Sequence, residues 1–196
     1  IQRYLTCPLL WRFAGNRKPT FIPIFRIFFL ALQFAVKRYY LGKMNDSALR
    51  PGELLIAYDE CVERMIGTRL ESQLRYSSRL PNLLVARQLA SRMLHIFHAS
   101  VAEQGSQIMA VAQGFSLALA DNLPLVDGTI DLVEVFHKSG GGSEAHLVEF
   151  RTATKRKKLS ETISDQSVLS MAAIRKGCLG LPRELPVKSR GDPLSL

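Results

Sequence analysis

The first half of the chain repeats apolar residues at steps of three and four. This spacing predicts three helices, over residues 24–41, 51–74 and 83–104. The most apolar stretch, residues 21–36, opens the first helix, and we expect it to be buried. Its proline and arginine leave too few uninterrupted apolar residues for a bilayer span, which needs about 20. The stretch therefore predicts no stable membrane insertion, and contact with a membrane surface stays as a weaker alternative.

The second half of the chain alternates apolar and polar residues instead. This pattern predicts strands over 108–119, 128–136 and 145–150, the last two joined by the glycine-rich turn "HKSGGGS". A polar segment follows, and a last helix is predicted from Gln166 to the breaker "GLP". Helices, a three-stranded antiparallel meander and a closing helix predict an α+β fold in which helices cover the sheet.

Size and charge narrow the classes of partner. A chain of 196 residues is the size of one domain and is long enough to bury a core. The net charge of +9 and the pI near 9.8 favour nucleic acid or another anionic surface. Because the sequence starts at Ile1 and not at Met, we expect a fragment or a processed product.

The cysteines indicate a reducing compartment. The three of them, Cys7, Cys61 and Cys178, are widely spaced and odd in number. They match neither a disulfide framework nor a zinc pattern. We therefore expect a cytoplasmic protein.

Two carboxylates interrupt neighbouring strands of the predicted meander. Asp131 lies in "TIDLVEV" and Glu149 in "LVEF", and paired strands lie about 4.8 Å apart. If both side chains point to one face, they converge on a space that suits Mg²⁺. Arg151 shares the face of Glu149 because strand side chains alternate, and it would contact a phosphate there. Gln166, at the start of the last helix, would add a hydrogen bond.

A structural alternative stays open for the same residues. Asp131 could be a turn residue at a strand end, and Glu149 could pair with Arg151 or Lys138 on a solvated edge. The basic run that follows favours anions even if it is only a solvated charge cluster, and beside a metal site it would follow a DNA backbone. It consists of Lys155, Arg156, Lys157 and Lys158.

Four segments, in order along the chain, resemble the RecB-like branch of the PD-(D/E)XK nuclease superfamily. The opening "IQRYLTCPLLWRF" looks like the branch's Cys-Pro segment, and "FFLALQFAVKRYYLGK" looks like the helix that follows it. "GTID" resembles the strand that ends in the metal-binding aspartate. "EFRT", followed by a helix that opens with Gln166, resembles the acidic-x-Lys strand and the next helix.

This resemblance implies a restriction-endonuclease-like α/β/α fold, with a mixed central sheet between helices, over residues 1–187. Residues 188–196 would be a C-terminal tail, cut short. It also implies Mg²⁺- or Mn²⁺-dependent hydrolysis of DNA in repair or recombination. Asp131, Glu149 and the backbone carbonyl of Phe150 would bind the metal, Arg151 would occupy the catalytic lysine position, and Gln166 would support the site.

The chain departs from the RecB-like pattern at several positions. Gln33 stands where the branch has a metal-facing histidine, and Arg151 replaces lysine, which is not a conservative change. Ser170 stands where a tyrosine is usual. These departures leave a second hypothesis open, a nuclease-fold DNA-binding module of weak or no activity attached to a helicase-type partner. Cys7 resembles an iron–sulfur ligand, but such a cluster needs four thiolates, so none is expected.

Overall fold

The fold mixes helices and strands in one chain. The computed structural model describes residues 21–67, 71–101, 105–118, 125–137, 141–153, 165–177 and 186–195. In chain order the elements are β1 (Ile22–Pro23), α1 (Ile24–Met44), α2 (Pro51–Ile66), a 3-10 turn (Glu71–Gln73), β2 (Leu74–Arg75), α3 (Leu83–Val101), β3 (Gln107–Leu117), β4 (Val126–His137), β5 (Ser143–Ala153), α4 (Asp165–Arg175) and β6 (Val187–Ser195). This arrangement agrees with the predicted α+β class.

The second helix is shorter than its apolar spacing predicts. It ends at Ile66 and not at residue 74, because Gly67 adopts a φ of 54°, which residues with a Cβ rarely take. The amide of Gly67 donates a hydrogen bond to the carbonyl of Glu63 and so caps the helix. Leu74, the last residue of the predicted helix, instead joins Arg75 in a short strand that pairs in parallel with Ile22–Pro23.

The main sheet has four strands in the order β3-β4-β5-β6. The first three form the predicted antiparallel meander. β6 then pairs in parallel with β5, from Ala145↔Val187 to Ala153↔Ser195, although the sequence suggested only a tail there. Pro193 is tolerated in β6 because an edge strand can lack one amide donor.

Apolar side chains pack on both faces of this sheet. The first core cluster joins α1, α2 and α3 to the sheet residues Ile108, Leu132, Val148 and Phe150. The second core cluster joins α4 to sheet residues that include Ile130, Val133 and Leu147. The start of α1 is buried as predicted, with Ile24, Ile27 and Phe28 almost fully covered. None of the helices within the described ranges is long and apolar enough to cross a membrane.

Candidate functional site

The sheet divides between β4 and β5, and the predicted carboxylates lie at the division. Pairing of these strands runs from His137↔Ser143 to Leu132↔Val148. Beyond that pair, β4 continues along β3 and β5 continues along β6. We call the opening between Asp131 on β4 and Glu149–Phe150 on β5 the fork.

The strand alternation is broken at Asp131. Ile130 belongs to the second core cluster, while Leu132, two residues later, belongs to the first. Regular alternation would put both on one face. Across from Asp131 on β3, Ala112 has a φ of 50°, so the neighbouring strand is distorted at the same level. Asp131 therefore lies within β4, but the regular alternation of faces does not determine the direction of its side chain.

Asp131 is held by two donors. Its Oδ1 accepts from the Lys37 ammonium of α1 at 2.7 Å, and the side chains of Lys37 and Asp131 are 26% and 16% exposed. Its Oδ2 accepts from the backbone N–H of Phe150 at 3.2 Å. Asp131 is therefore an interior strand residue that bridges the fork, and its interpretation as a turn residue at a strand end is wrong.

Side chains replace the ladder bonds that Phe150 would otherwise make with β4. In an antiparallel ladder a residue exchanges both its N–H and its C=O with one neighbour. At Phe150 the N–H goes to Asp131, and the carbonyl accepts from the Gln33 amide Nε2 at 2.9 Å. Backbone groups that leave a ladder need such substitutes. Side chains thus satisfy the backbone groups of Phe150 at the fork.

One stripe of α1 faces the fork. Gln33, Lys37 and Tyr40 follow one another at steps of four and three, so they lie on the same side of the helix. The ring of Tyr40 stacks on Phe150 with the centroids 5.9 Å apart. Each of the three thus contacts Asp131 or Phe150, and together they fix α1 against the fork.

Glu149 is buried, with 5% of its surface exposed. Its interpretation as part of a solvated edge is therefore wrong. Val148 and Phe150 belong to the first core cluster and Leu147 to the second. Alternation thus places Glu149 on the Leu147 side, whereas Asp131 contacts α1. The two carboxylates border the same opening, and they approach it from different directions.

The remaining predicted residues are placed only in part. Arg151 lies on β5, paired with Pro193 of β6, and Gln166 lies in the first turn of α4. Their side chains lie outside what the structure describes. The predicted DNA-binding run also lies outside the described residues, namely Lys155, Arg156, Lys157 and Lys158.

Sequence reasoning missed Lys37. A lysine in an amphipathic helix is usually an exposed residue, and nothing in its local pattern marks it. The available signal was its position four residues after Gln33, which predicts the same helix face. Lys37 could be recognised only after Gln33 was placed beside Phe150.

A second polar group lies nearer the hairpin end of β4 and β5. The buried carboxylate of Glu134 accepts from the Ser106 hydroxyl at 2.9 Å, and His146 pairs across the strands with Glu134. His146 bonds to Glu144 at 3.1 Å and is half-buried. Burial is the larger cause that raises the pKa of Tyr39, and the charge of Glu134 raises it further. These contacts join the strands near the hairpin, but the buried Nδ1 of His146 has no hydrogen-bond partner among the described residues.

The histidines of α3 make contacts within the fold. His95 contacts the Ser91 carbonyl one helical turn away, and the ring of His98 packs against Tyr39. Burial raises the pKa of the Cys61 thiol, which lowers its nucleophilicity at neutral pH. Over the described ranges, no group of three or more His, Cys, Asp or Glu side chains is arranged to hold a metal ion.

No protein-family model matches the chain, and no curated protein matches it at a significant level. The functional argument therefore depends on the fork. Three chemical features define it: a carboxylate bound to an ammonium group, a buried second carboxylate, and a backbone carbonyl held by a glutamine.

Proposed function

We propose that this chain is a RecB-like nuclease domain of the PD-(D/E)XK superfamily, with the α/β/α fold of that superfamily, which hydrolyses DNA phosphodiesters with a divalent metal. One observation carries the proposal. Gln33, Asp131 and Phe150 were each singled out by motif position, and hydrogen bonds join them, although 117 residues separate Gln33 from Phe150. Asp131 and Phe150 meet because their strands are neighbours in the meander, so the contact of Gln33 from α1 is the part that supports the resemblance.

The oxygen donors at the fork suit Mg²⁺ or Mn²⁺. These hard cations prefer carboxylate and carbonyl oxygens. Asp131 and the Phe150 carbonyl both contact α1, and Glu149 would have to reach the same ion from the other side of the fork. When bound, such an ion makes water a better nucleophile and stabilises charge on the phosphodiester. Gln33 orients the Phe150 carbonyl by its hydrogen bond. A metal at Oδ1 of Asp131 would have to compete with the ammonium of Lys37.

DNA is the proposed substrate because the chain is strongly basic. The net charge of +9 favours contact with phosphates, which provides affinity without reading the base sequence. Arg151 would contact the phosphate under attack, Gln166 would support the site, and the run Lys155 to Lys158 would follow the backbone. We further propose that the domain acts in repair or recombination in the cytoplasm, beside a helicase-type partner.

A second function is favoured by the ion pair at the fork. Lys37 already neutralises Asp131 at 2.7 Å, so the carboxylate does not need a metal for its charge to be balanced. A domain with this arrangement can keep the fold and bind DNA without hydrolysing it. The replacement of histidine by Gln33 and of lysine by Arg151 points in the same direction.

Cleavage of labelled linear single- and double-stranded DNA in Mg²⁺, Mn²⁺ or EDTA tests the proposal. The purified chain is compared with Asp131→Asn and Glu149→Gln, which keep the shape of each side chain. We expect cutting that needs metal and falls at least about a hundredfold in both variants, because each removes an anionic ligand. Circular dichroism checks that both variants fold.

Asp127→Asn is the matched control. Asp127 lies on the same strand as Asp131, is exposed, and bonds only to its strand neighbour Ser116 among the contacts described. Its variant should cut as the unmodified chain does. Binding of DNA without cutting in either metal would select the second function, and metal-dependent cutting that survives both Asp131→Asn and Glu149→Gln would refute the site.

A further inference from the structure

Lys37 is a cation at the fork, where its ammonium group contacts Oδ1 of Asp131. The Nζ–Oδ1 distance of 2.7 Å is that of a charge-assisted hydrogen bond. The other carboxylate oxygen, Oδ2, is taken by the Phe150 amide at 3.2 Å. Among the donors that the structure describes, Lys37 is therefore the charged one at Asp131.

An ammonium group and a divalent cation that approach the same carboxylate oxygen repel each other. Mg²⁺ and Mn²⁺ need oxygen ligands at about 2.1 Å, and a positive charge within hydrogen-bonding distance of that oxygen repels them. Binding of a metal at Oδ1 of Asp131 is therefore opposed by Lys37 while the ammonium stays in contact. The Lys37 side chain is 26% exposed, so it is partly shielded from solvent.

We propose that Lys37 is an internal counter-ion that competes with a divalent cation for Asp131. In the resting fold the ammonium neutralises the carboxylate and keeps α1 fixed at the fork. Metal binds only by displacing it, so Lys37 sets the metal concentration at which the site fills. The inference rests on the proposed metal site, but it concerns binding and stability and not turnover.

The test removes the charge and keeps the stem, with Lys37→Met. Unfolding temperature is measured in EDTA and in Mn²⁺, and Mn²⁺ binding is measured by electron paramagnetic resonance on the whole chain. We expect Lys37→Met to unfold several degrees lower in EDTA, because Asp131 loses its counter-ion. Mn²⁺ should restore most of that loss, since a ligand that binds only the folded state stabilises it. Mn²⁺ should also bind at least about tenfold more tightly than to the unmodified chain.

Arg26→Met is the matched control. Arg26 is an exposed cation on the same helix, and its variant changes the net charge by the same amount. If lost repulsion from the whole protein caused the tighter binding, both variants would show it equally. The double variant Lys37→Met with Asp131→Asn should lose the rescue by Mn²⁺, which assigns the rescue to Asp131. Lys37→Gln, whose amide can still bond to Asp131, serves if Lys37→Met does not fold.

Two results would overturn the inference. Equal Mn²⁺ affinity in the unmodified chain and in both Lys37 variants would show that the ammonium does not compete. No Mn²⁺ binding in any of the three would show that Asp131 is not a cation site. Failure of the inference is distinct from failure of the proposed function, because DNA cleavage with an unchanged Mn²⁺ requirement in Lys37→Met would leave the nuclease intact. Tighter Mn²⁺ binding without cleavage would leave the competition intact.

Discussion

At the scale of single residues, Phe150 explains why the fork is stable. A backbone amide and carbonyl that leave a β-ladder must find other partners, and here each finds a side chain from a distant part of the sequence. The same two bonds determine where Gln33 and Asp131 point. Gln33 departs from the RecB-like pattern, which has histidine at this position. It nevertheless has a structural role, because its amide donates to the Phe150 carbonyl.

Replacing Gln33 should measure this role directly. Gln33→Ala leaves the part-buried carbonyl of Phe150 without its donor, and we expect the free energy of unfolding to fall by about 1–2 kcal/mol. Chemical denaturation monitored by circular dichroism gives the value. Gln113→Ala is the control, because the amide of Gln113 also bonds to a backbone carbonyl but is exposed. A loss no greater than that of Gln113→Ala would mean that water satisfies Phe150 equally well.

The sequence located the two carboxylates but not their partners. Asp131 and Glu149 stood out because charged residues interrupt alternating strands, and their strands were placed correctly. Lys37 did not stand out, since an ion pair between residue 37 and residue 131 depends on how α1 lies over the sheet. Local pattern cannot specify that contact, and the break in alternation at Asp131 is equally invisible to it.

At the scale of elements, the sheet is shaped by a glycine against an aromatic ring. Gly128 on β4 pairs with Phe115 on β3, and the ring lies directly over the glycine. A Cβ on Gly128 would come within 2.7 Å of the ring carbon Cε1 of Phe115, which is itself buried. Packing against Phe115 thus requires a glycine at position 128, three residues before Asp131. Its presence in the motif needs no catalytic explanation.

Gly128→Ala should therefore destabilise the domain. Phe115 must move within a filled core, and such overpacking costs about 1–3 kcal/mol. Thermal unfolding measures the effect, and Gly114→Ala is the control, because a Cβ there meets only ordinary contact on the neighbouring strand. Adding Phe115→Leu to Gly128→Ala should recover part of the loss. Equal unfolding temperatures for the two glycine variants would contradict the packing argument.

Two elements differ from the sequence prediction, because features other than local apolar spacing determine them. The apolar spacing of 51–74 was read as one helix, but the left-handed Gly67 ends it after Ile66. β6 was not predicted, because "VKSRGDPLS" contains a proline and little alternation, and it forms a strand by pairing with the formed edge of β5. In both cases a backbone conformation or a neighbouring strand outweighed local preference.

At the scale of the whole molecule, the net charge of +9 supports the proposed contact with DNA. Beside the stripe that faces the fork, the guanidinium groups of Arg38 on α1 and Arg64 on α2 each lie 5.9 Å from the ring centroid of Phe34. The ring holds two exposed cations close together, so less side-chain entropy is lost when they bind phosphates. We therefore expect this pair to contribute to the proposed binding of phosphates.

Binding of DNA should therefore depend on salt, and on these two arginines more than on others. Each phosphate contact contributes about 0.9 to the slope of log K against log salt for duplex DNA, so Arg38→Ala with Arg64→Ala should reduce the slope by about 1.8. Fluorescence anisotropy between low and moderate salt, in EDTA, measures binding apart from cleavage. Arg75→Ala with Arg92→Ala removes the same charge from exposed positions elsewhere. If both double variants lowered the slope equally, binding would reflect net charge alone, and no particular surface of α1 and α2 would be involved.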